Sequence, residues 1–194
     1  KRELLPFYLP WVAGVLANGK GAQDDIVMTV MLWRLDADDI AGALEIARYA
    51  MTYGLTMPTG RRPTPYLLAE EVALSAQRLL AAKQPVELAN LLDTIALTER
   101  ADMPDIVRAK LHKITGYVLR DANQLPEALT HLQRAIQLER TIGVKKDIEQ
   151  LERQLRPKPE PAPKATTTKP RTRKPAAKPA ARRGRPPKTA KAAG

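Results

Sequence analysis

The most specific chemical pattern in the chain is a short basic segment near its end, made of Arg182, Arg183, Gly184, Arg185, Pro186, Pro187 and Lys188. Glycine has no side chain, so the backbone can lie on the floor of a narrow groove. Proline holds the chain extended. The arginines on either side of the glycine would then point along the minor groove, which A·T tracts narrow and make more negative. The pattern matches the core of an AT-hook, which binds A·T-rich duplex DNA.

A second interpretation treats the same segment as part of an ordinary polycationic tail. Six of the cations that precede it are Lys164, Lys169, Arg171, Arg173, Lys174 and Lys178. Such side chains contact phosphates anywhere on a duplex, with an affinity that falls as the salt concentration rises. We favour the AT-hook, because the motif lies within the kind of long basic arm in which it works.

Charge divides the chain into two parts. Residues 156–194 hold 13 of the 32 Lys and Arg residues and one of the 21 acidic residues, which gives 13 − 1 = +12. Residues 1–155 keep 19 basic and 20 acidic residues, a net charge of −1. This excludes a uniformly basic nucleic-acid domain. It predicts a near-neutral body over 1–155 and, because nine of the 17 prolines fall after it, a disordered basic tail over 156–194.

Acidic residues cluster at four places in the body, which are Asp24-Asp25, Asp36/Asp38/Asp39, Glu70-Glu71 and Asp102/Asp105. Metal-assisted cleavage of a phosphodiester needs acidic ligands that converge within a few ångströms. Acidic residues at helix starts act more often as N-caps, however. No Asp or Glu has a lysine two positions later, as the common restriction-type nuclease motif requires. The catalytic and metal-binding residues therefore stay unassigned.

Other chemical sites are disfavoured. The chain has no cysteine, which excludes a disulfide scaffold, a zinc finger and a cysteine nucleophile. The two histidines, His112 and His131, lie on predicted facing helices and are interpreted as polar surface residues. The spacing of Gly14, Gly19 and Lys20 matches a phosphate-binding loop, but Gly21 stands where Ser or Thr would hold magnesium. We interpret that segment as a loop between helices and expect any ATPase to be a separate chain.

The uncharged run from Leu4 to Gly19 is too short to span a membrane, since a spanning helix needs about 20 apolar residues. Pro6 and Pro10 also interrupt it. We therefore predict a buried helical segment and no membrane partner. The aromatic residues of this run and of the following helices are expected in the core, namely Phe7, Tyr8, Trp11, Trp33 and Tyr53.

The body is predicted to be all-α. Apolar residues recur at three- and four-residue steps in stripes that begin at Ile40, Leu68, Val107, Leu125 and Val144. Asp36 and Asp39 are expected to open the first of these helices, and Thr64, with its hydroxyl as cap, the second. Pro104 and Pro126 mark two further starts. No segment alternates polar and apolar residues, so no strand is expected.

One helical hairpin shows the residue order of a tetratricopeptide repeat. Gly116, Ala128, Leu132 and Ala135 match its small, small, bulky and small positions, which allow two antiparallel helices to approach closely. His112 replaces the usual tryptophan. A solenoid needs about three such repeats. The prediction is therefore antiparallel helical hairpins, partly tetratricopeptide-like.

Several blocks, in order, closely resemble the small, so-called endonuclease subunit of the DNA-packaging terminase of temperate tailed phages with cohesive ends. They are LLPFYLPWV over 4–12, GAQDDIVMTVMLWR over 21–34, GALEIA over 42–47, DMPDIVRAKLHK over 102–113 and GVKKDIE over 143–149. The resemblance covers essentially residues 1–155. The sequence starts where relatives usually carry a further N-terminal helical segment. A helix-turn-helix or assembly element is therefore expected to be missing, and autonomous recognition of the DNA site is not expected of this chain.

The resemblance implies a role in the cytoplasm of the bacterial host. Such subunits bind double-stranded viral DNA at the packaging site, partner a large ATPase subunit and form homo-oligomers. Family members are described as making the staggered cut at the cohesive-end site, for which Mg²⁺ would be the cofactor. Two functions stay open: a recognition subunit that also cuts, or a non-catalytic helical adaptor that ties DNA to the motor while the large subunit cuts. A nucleoid-type compaction protein would explain the tail but not the body.

Overall fold

The computed structural model describes residues 1–58, 60 and 62–156, and these residues form helices without any strand. The helices are α1 (Leu5–Asn18), α2 (Asp25–Asp36), α3 (Ile40–Tyr53), α4 (Thr64–Ala81), α5 (Leu88–Thr98), α6 (Asp105–Asp121), α7 (Leu125–Leu138) and α8 (Lys145–Leu155). The predicted all-α architecture is confirmed. The AT-hook segment and the tail from residue 157 onward lie outside the described residues.

Side chains at the helix starts account for several of the acidic residues. Asp24 caps α2, since its Oδ1 accepts from the backbone N–H groups of Ile26 and Val27, both at 3.0 Å. Asp39 caps α3 as predicted, accepting from Gly42 N at 3.0 Å. These bonds satisfy amide groups that have no partner within the helix.

Two predicted helix starts are wrong in detail. Asp36 is the last residue of α2 and does not open α3. Thr64 begins α4, but its hydroxyl donates to the backbone carbonyl of Leu55 at 2.7 Å and does not cap the helix. Thr64 is buried, so its hydroxyl must find an acceptor nearby, and the loop that enters α4 supplies one.

The main core lies between α2, α3, α4, α5 and α6. Its largest fully buried side chains include Met28, Met31, Leu35, Leu44, Ile46, Leu68 and Leu91. A second, smaller cluster lies where α6, α7 and α8 meet, and it contains Leu119, Ala128, Leu132, Val144 and Leu151. The two clusters share partly buried Leu88 and Tyr117 at their boundary.

The α6–α7 hairpin packs as the tetratricopeptide-like pattern predicts. Ala128, Leu132 and Ala135 of α7 are fully buried. A Cβ added to Gly116 of α6 would lie 2.7 Å from Leu132 Cδ2 and 3.3 Å from the carbonyl oxygen of Ala128. The absence of a side chain at Gly116 is therefore what allows Leu132 to reach the α6 backbone.

The prediction that α1 is buried is wrong. Val12 is the only buried residue of this helix, whereas Phe7 is 79% exposed and Trp11 is 53% exposed. Tyr53 is also exposed, while Tyr8 and Trp33 are half-buried and pack edge to face. The physical reason is position, because α1 packs only on α2 and α3 and nothing in the described chain covers its outer face.

A membrane-spanning helix is not found in the described part of the chain, since none of its helices combines the required length with sufficient apolar character.

The close approach at Gly116 gives a stability prediction. Gly116→Ala should destabilise the protein by about 1–2 kcal/mol in urea unfolding, because the clash with Leu132 outweighs the helix-propensity gain of about 1 kcal/mol. Adding Leu132→Ala removes the clashing atoms. In that background Gly116→Ala should be neutral or stabilising. If Gly116→Ala stabilises the otherwise unchanged protein, the proposed packing is wrong.

Candidate functional site

The acidic cluster at the α2–α3 turn contains Asp38, whose carboxylate contacts Arg2, Ser75 and Arg78. Its backbone is left-handed, with φ of 64°. Its Oδ1 accepts from Ser75 Oγ at 2.9 Å, from Arg78 Nη2 at 2.9 Å and from Arg78 Nε at 3.1 Å. Arg2 lies 3.5 Å from its other oxygen. Asp38 therefore joins the α2–α3 turn to α4, and both of its carboxylate oxygens are used in these structural contacts.

The other two acids of this cluster point to different partners. Asp36 pairs with Lys1, and Asp39 pairs with Arg34 Nη1 at 2.8 Å in addition to capping α3. The guanidinium of Arg34 fills the space beside Gly42, where an added Cβ would lie only 1.6 Å from Nη1. The three carboxylates thus follow one another in sequence but do not converge on one point.

Asp24 and Asp25 also serve local structure. While one oxygen of Asp24 caps α2, the other accepts from the indole Nε1 of Trp11 at 3.0 Å, which ties α1 to the start of α2. Asp25 accepts from Gln23 Nε2 at 3.0 Å, and the same amide donates to the carbonyl of Thr56. Both acids of this pair are used in holding the segment between α1 and α2.

Glu70 and Glu71 lie near the acidic turn, on α4. Glu70 pairs with Arg62. Burial raises the pKa of Glu71, and the negative charges of Asp36 and Glu70 raise it further, so this carboxylate lies within electrostatic reach of both. No group of three or more His, Asp or Glu side chains is placed to hold a metal ion among the described residues.

The remaining acidic pair is separated by secondary structure. Asp105 is the first residue of α6, where its negative charge interacts favourably with the positive end of the helix dipole. Asp102 lies in the preceding loop. Asp105 lines a cavity of about 300 Å³ with Glu99, Arg108, His112 and Arg134 among its neighbours. The two arginines make this cavity less suitable for a cation.

The phosphate-loop spacing does not form a phosphate-binding loop. Gly14 lies inside α1, and the helix continues to Asn18 before Gly19 and Lys20 begin the loop. Backbone N–H groups inside a helix donate to helical carbonyls, so they cannot cradle a phosphate. The prediction that this segment is a loop between helices is therefore correct only for its last residues, Gly19 and Lys20.

The two histidines are not independent surface residues. His112 of α6 and His131 of α7 place their Nδ1 atoms 3.1 Å apart, and both rings are half-buried. Burial lowers the pKa of His112 to about 4, with further contributions from His131, Arg134 and Arg108. Burial also lowers the pKa of His131. In the neutral pair one Nδ1–H donates to the other ring, so the pair is a hydrogen bond across the hairpin.

The histidine pair predicts a loss of stability in mild acid. The unfolded chain binds protons near pH 6.5, while folded His112 resists protonation until about pH 4. Stability should therefore fall as the pH drops below 6.5, by roughly 1–2 kcal/mol after allowance for partial solvent exposure. Urea unfolding between pH 7 and pH 5 measures this. The variant His112→Gln/His131→Gln should lose most of this pH dependence, and an unchanged slope would contradict the assignment.

The acids and histidines are recognisable in the sequence, but their partners are not. The Asp38–Arg78 ion pair and the contact between the two histidines each join separate elements of the fold. Of these two contacts, only the one between the histidines was indicated by the sequence, through the helical register of α6 and α7. The AT-hook residues Arg182 to Lys188 lie outside the described residues.

Comparison with known proteins assigns the family. The family model described as phage small terminase subunit matches residues 1–106. The chain is 64% identical over 191 residues to "Terminase, endonuclease subunit" of Escherichia phage P2, covering 98% of this chain and 76% of that protein. It is 28% identical over 166 residues to "Probable terminase, endonuclease subunit" of Haemophilus phage HP1, covering 77% of this chain and 58% of that protein.

No solved structure matches the chain. The resemblance inferred from the sequence blocks is confirmed by the family model and by a relative that aligns along almost the whole chain. The protein belongs to the phage small terminase subunit family and therefore has its place in viral DNA packaging.

Proposed function

We propose that this chain is a non-catalytic DNA-binding adaptor of the packaging machinery. In this proposal, helices α1–α8 form a scaffold, and the basic segment after them binds double-stranded viral DNA near the packaging site. The observation that carries the proposal is the engagement of the candidate carboxylates. Asp24, Asp38 and Asp39 act as caps and ion-pair partners, and they lie in a body of net charge −1.

The cations supply the affinity in this proposal. Thirteen of them lie between residues 156 and 194. Each phosphate contact releases counterions, so binding should be strong and salt-dependent. Arg183 and Arg185 would enter the minor groove and add a preference for A·T-rich duplex.

The adaptor needs a motor, which we propose is the large ATPase subunit of the terminase. Most of the chain's own phosphate-loop spacing, residues 14–18, is helical, so we assign nucleotide hydrolysis to another protein. We also propose that the chain assembles with copies of itself and acts in the cytoplasm of the bacterial host.

A second candidate is a metal-dependent endonuclease, because the names of both relatives contain "endonuclease subunit". If the chain cuts DNA, the first carboxylates to test by substitution are Asp36, Glu70 and Glu71, whose charges interact, although no group of three acids is placed to hold a metal ion in the described residues. The two candidates differ in one property, which is whether the purified chain cleaves packaging-site DNA.

The AT-hook predicts a sequence-selective loss of affinity. Arg183→Ala/Arg185→Ala should weaken binding to an A·T-rich duplex more than to a G·C-rich duplex of equal length, by roughly 30-fold if each of the two lost groove contacts is worth about 1 kcal/mol. Fluorescence anisotropy at fixed salt measures both affinities.

The matched control is Lys169→Ala/Arg171→Ala, which removes two cations of the same tail outside the motif. It should weaken binding to both duplexes equally, because it removes phosphate contacts alone. If Arg183→Ala/Arg185→Ala also weakened binding to both duplexes equally, the AT-hook would be contradicted, and the tail would be an ordinary polycation.

A further inference from the structure

A groove lies between helices α4 and α6, and we call it the α4–α6 groove. Its volume is about 590 Å³. The α6 residues that line it, from Lys110 to Asp121, cover about three turns of that helix. The other lining residues are Ala73, Leu74, Gln77, Leu80 and Ala81 of α4 and Ile142 of the loop between α7 and α8. The groove is therefore long enough to hold a short helix.

Much of the lining is apolar and remains open to solvent. Leu74 is 37% exposed, and Leu80 and Ile142 are half-buried, while Ile114 is buried beneath them. Apolar side chains that stay accessible inside a concave surface gain free energy when an apolar group displaces the water. The groove therefore favours an occupant with apolar side chains.

The polar part of the lining is positively charged. Lys110, Lys113 and Arg120 contribute three positive charges and Asp121 one negative charge, which gives 3 − 1 = +2. The body as a whole has a net charge of −1. The α4–α6 groove is thus a local positive region on a body that is otherwise near neutral.

This positive charge is compensated at one end of the groove only. Arg120 pairs with Asp121 at 3.0 Å. Lys113 Nζ donates instead to the backbone carbonyl of Ile142 at 2.8 Å, which is an uncharged acceptor. Lys110 is exposed, and neither lysine forms an ion pair within residues 1–58, 60 and 62–156. An incoming carboxylate would therefore be matched at the Lys110 and Lys113 end.

Tyr117 orders two of the cations before any partner binds. Its hydroxyl donates to Asp147 at 3.1 Å. Lys113 Nζ and Arg120 Cζ lie 5.8 Å and 4.9 Å from the centre of its ring, within the range of cation–π attraction. Groups that are already ordered lose less entropy on association. The groove is thus prepared for binding by contacts within the chain.

We propose that the α4–α6 groove binds an amphipathic helix of another protein, one that is apolar along one face and acidic at the edge of that face. A helix laid between two others buries its apolar stripe against them. The apolar side chains of the partner would contact Leu74 and Ile142. Its carboxylates would lie beside Lys110 and Lys113 and compensate their charge.

Other occupants fit this groove less well. The chain's own tail carries +12, so the cations of the groove repel it. Duplex DNA would meet the lysines but would leave the apolar lining unmatched, because its outer surface offers phosphates and sugars. A second copy would bring helix α1 as an exposed apolar segment, but α1 has no carboxylate.

Isoleucine methyl NMR of the full chain tests the proposal. Ile114 and Ile142 line the groove, whereas Ile26 and Ile106 are exposed elsewhere. Residues 156–194 contain no isoleucine, so a ligand that binds only the tail shifts none of these signals. The probe is a synthetic peptide of about 14 residues, with leucines along one helical face and glutamates beside them. It should shift the methyl signals of Ile114 and Ile142 and leave those of Ile26 and Ile106 unchanged.

Two altered peptides separate the apolar contribution from the charged one. A peptide of the same composition, with its leucines spread around the helix, still binds the basic tail but should not shift the groove signals. A peptide with glutamine in place of every glutamate should bind the groove more weakly, because it no longer compensates Lys110 and Lys113.

Variants of the chain test the same two contributions. Leu74→Asp should raise the dissociation constant of the glutamate peptide about tenfold, since it removes an apolar contact and adds a repelling charge. Lys110→Gln/Lys113→Gln should have an effect of about the same size, and glutamine at 113 keeps a donor for the Ile142 carbonyl. The matched control is Lys20→Gln/Lys146→Gln, which removes two exposed cations outside the groove and should change nothing.

Circular dichroism checks that each variant keeps its helices, and the lysine variant gives an independent test if Leu74→Asp fails to fold. The inference would be overturned if the glutamate peptide left Ile114 and Ile142 unshifted, or if the rearranged peptide shifted them equally. It would also be overturned if the Lys20/Lys146 variant lost as much affinity as the Lys110/Lys113 variant.

Two further titrations test the other occupants. Shifts of Ile114 and Ile142 on adding duplex DNA would assign the groove to nucleic acid, and shifts on raising the protein concentration alone would assign it to a second copy. Either result would overturn the inference. The inference goes beyond the proposed function, which places DNA on the tail. Duplex binding that survives loss of the tail's cations would defeat that function without changing the response to the peptide.

Discussion

A half-buried carboxylate must be matched by a hydrogen-bond donor or a cation, and this requirement ties α2, α3 and α4 together. Asp38 adopts a left-handed backbone at the α2–α3 turn, and in that conformation its oxygen meets Ser75 and Arg78 of α4. Asp39, the next residue, caps α3 and holds Arg34. Removing one of these partners would leave a charge without compensation, which costs more than the pair itself contributes. The acids are therefore committed to the packing of the helices.

This commitment has a functional consequence. A metal-dependent nuclease needs carboxylates that converge and are free to bind the ion. In the described part of the chain the acidic residues instead diverge toward separate arginines, lysines and amide groups. The positive charge that DNA requires is concentrated after residue 155, on a different part of the chain. The proposed adaptor separates the two tasks accordingly: the body provides a scaffold, and the basic tail provides affinity.

Much of the fold follows from the sequence, because α3, α4, α6, α7 and α8 each carry an apolar stripe on one side. Helix α2 shows no such stripe, since neighbours surround it and Val27, Met28, Val30, Met31 and Leu35 are all buried. A helical segment at α1 was predicted correctly, but the prediction that this helix is buried was wrong. An uncharged helix has the same sequence pattern whether its outer face is covered by its own chain or left open.

The acidic site was less predictable than the fold. Spacing places Asp36, Asp38 and Asp39 in one turn, but it does not determine which cation each will meet. That choice depends on the left-handed conformation of Asp38 and on the packing distance of α4, both of which are tertiary properties. The Gly116–Leu132 contact could be predicted because the helical repeat pattern specifies both of its partners.

The most direct measurement is cleavage of packaging-site DNA by the purified chain in the presence of Mg²⁺, with and without the large subunit. We expect no nicks from this chain alone and cleavage only when the large subunit is added. Nicks made by the chain alone, and abolished by Asp36→Asn or Glu71→Gln in a variant that keeps its helices, would contradict this expectation.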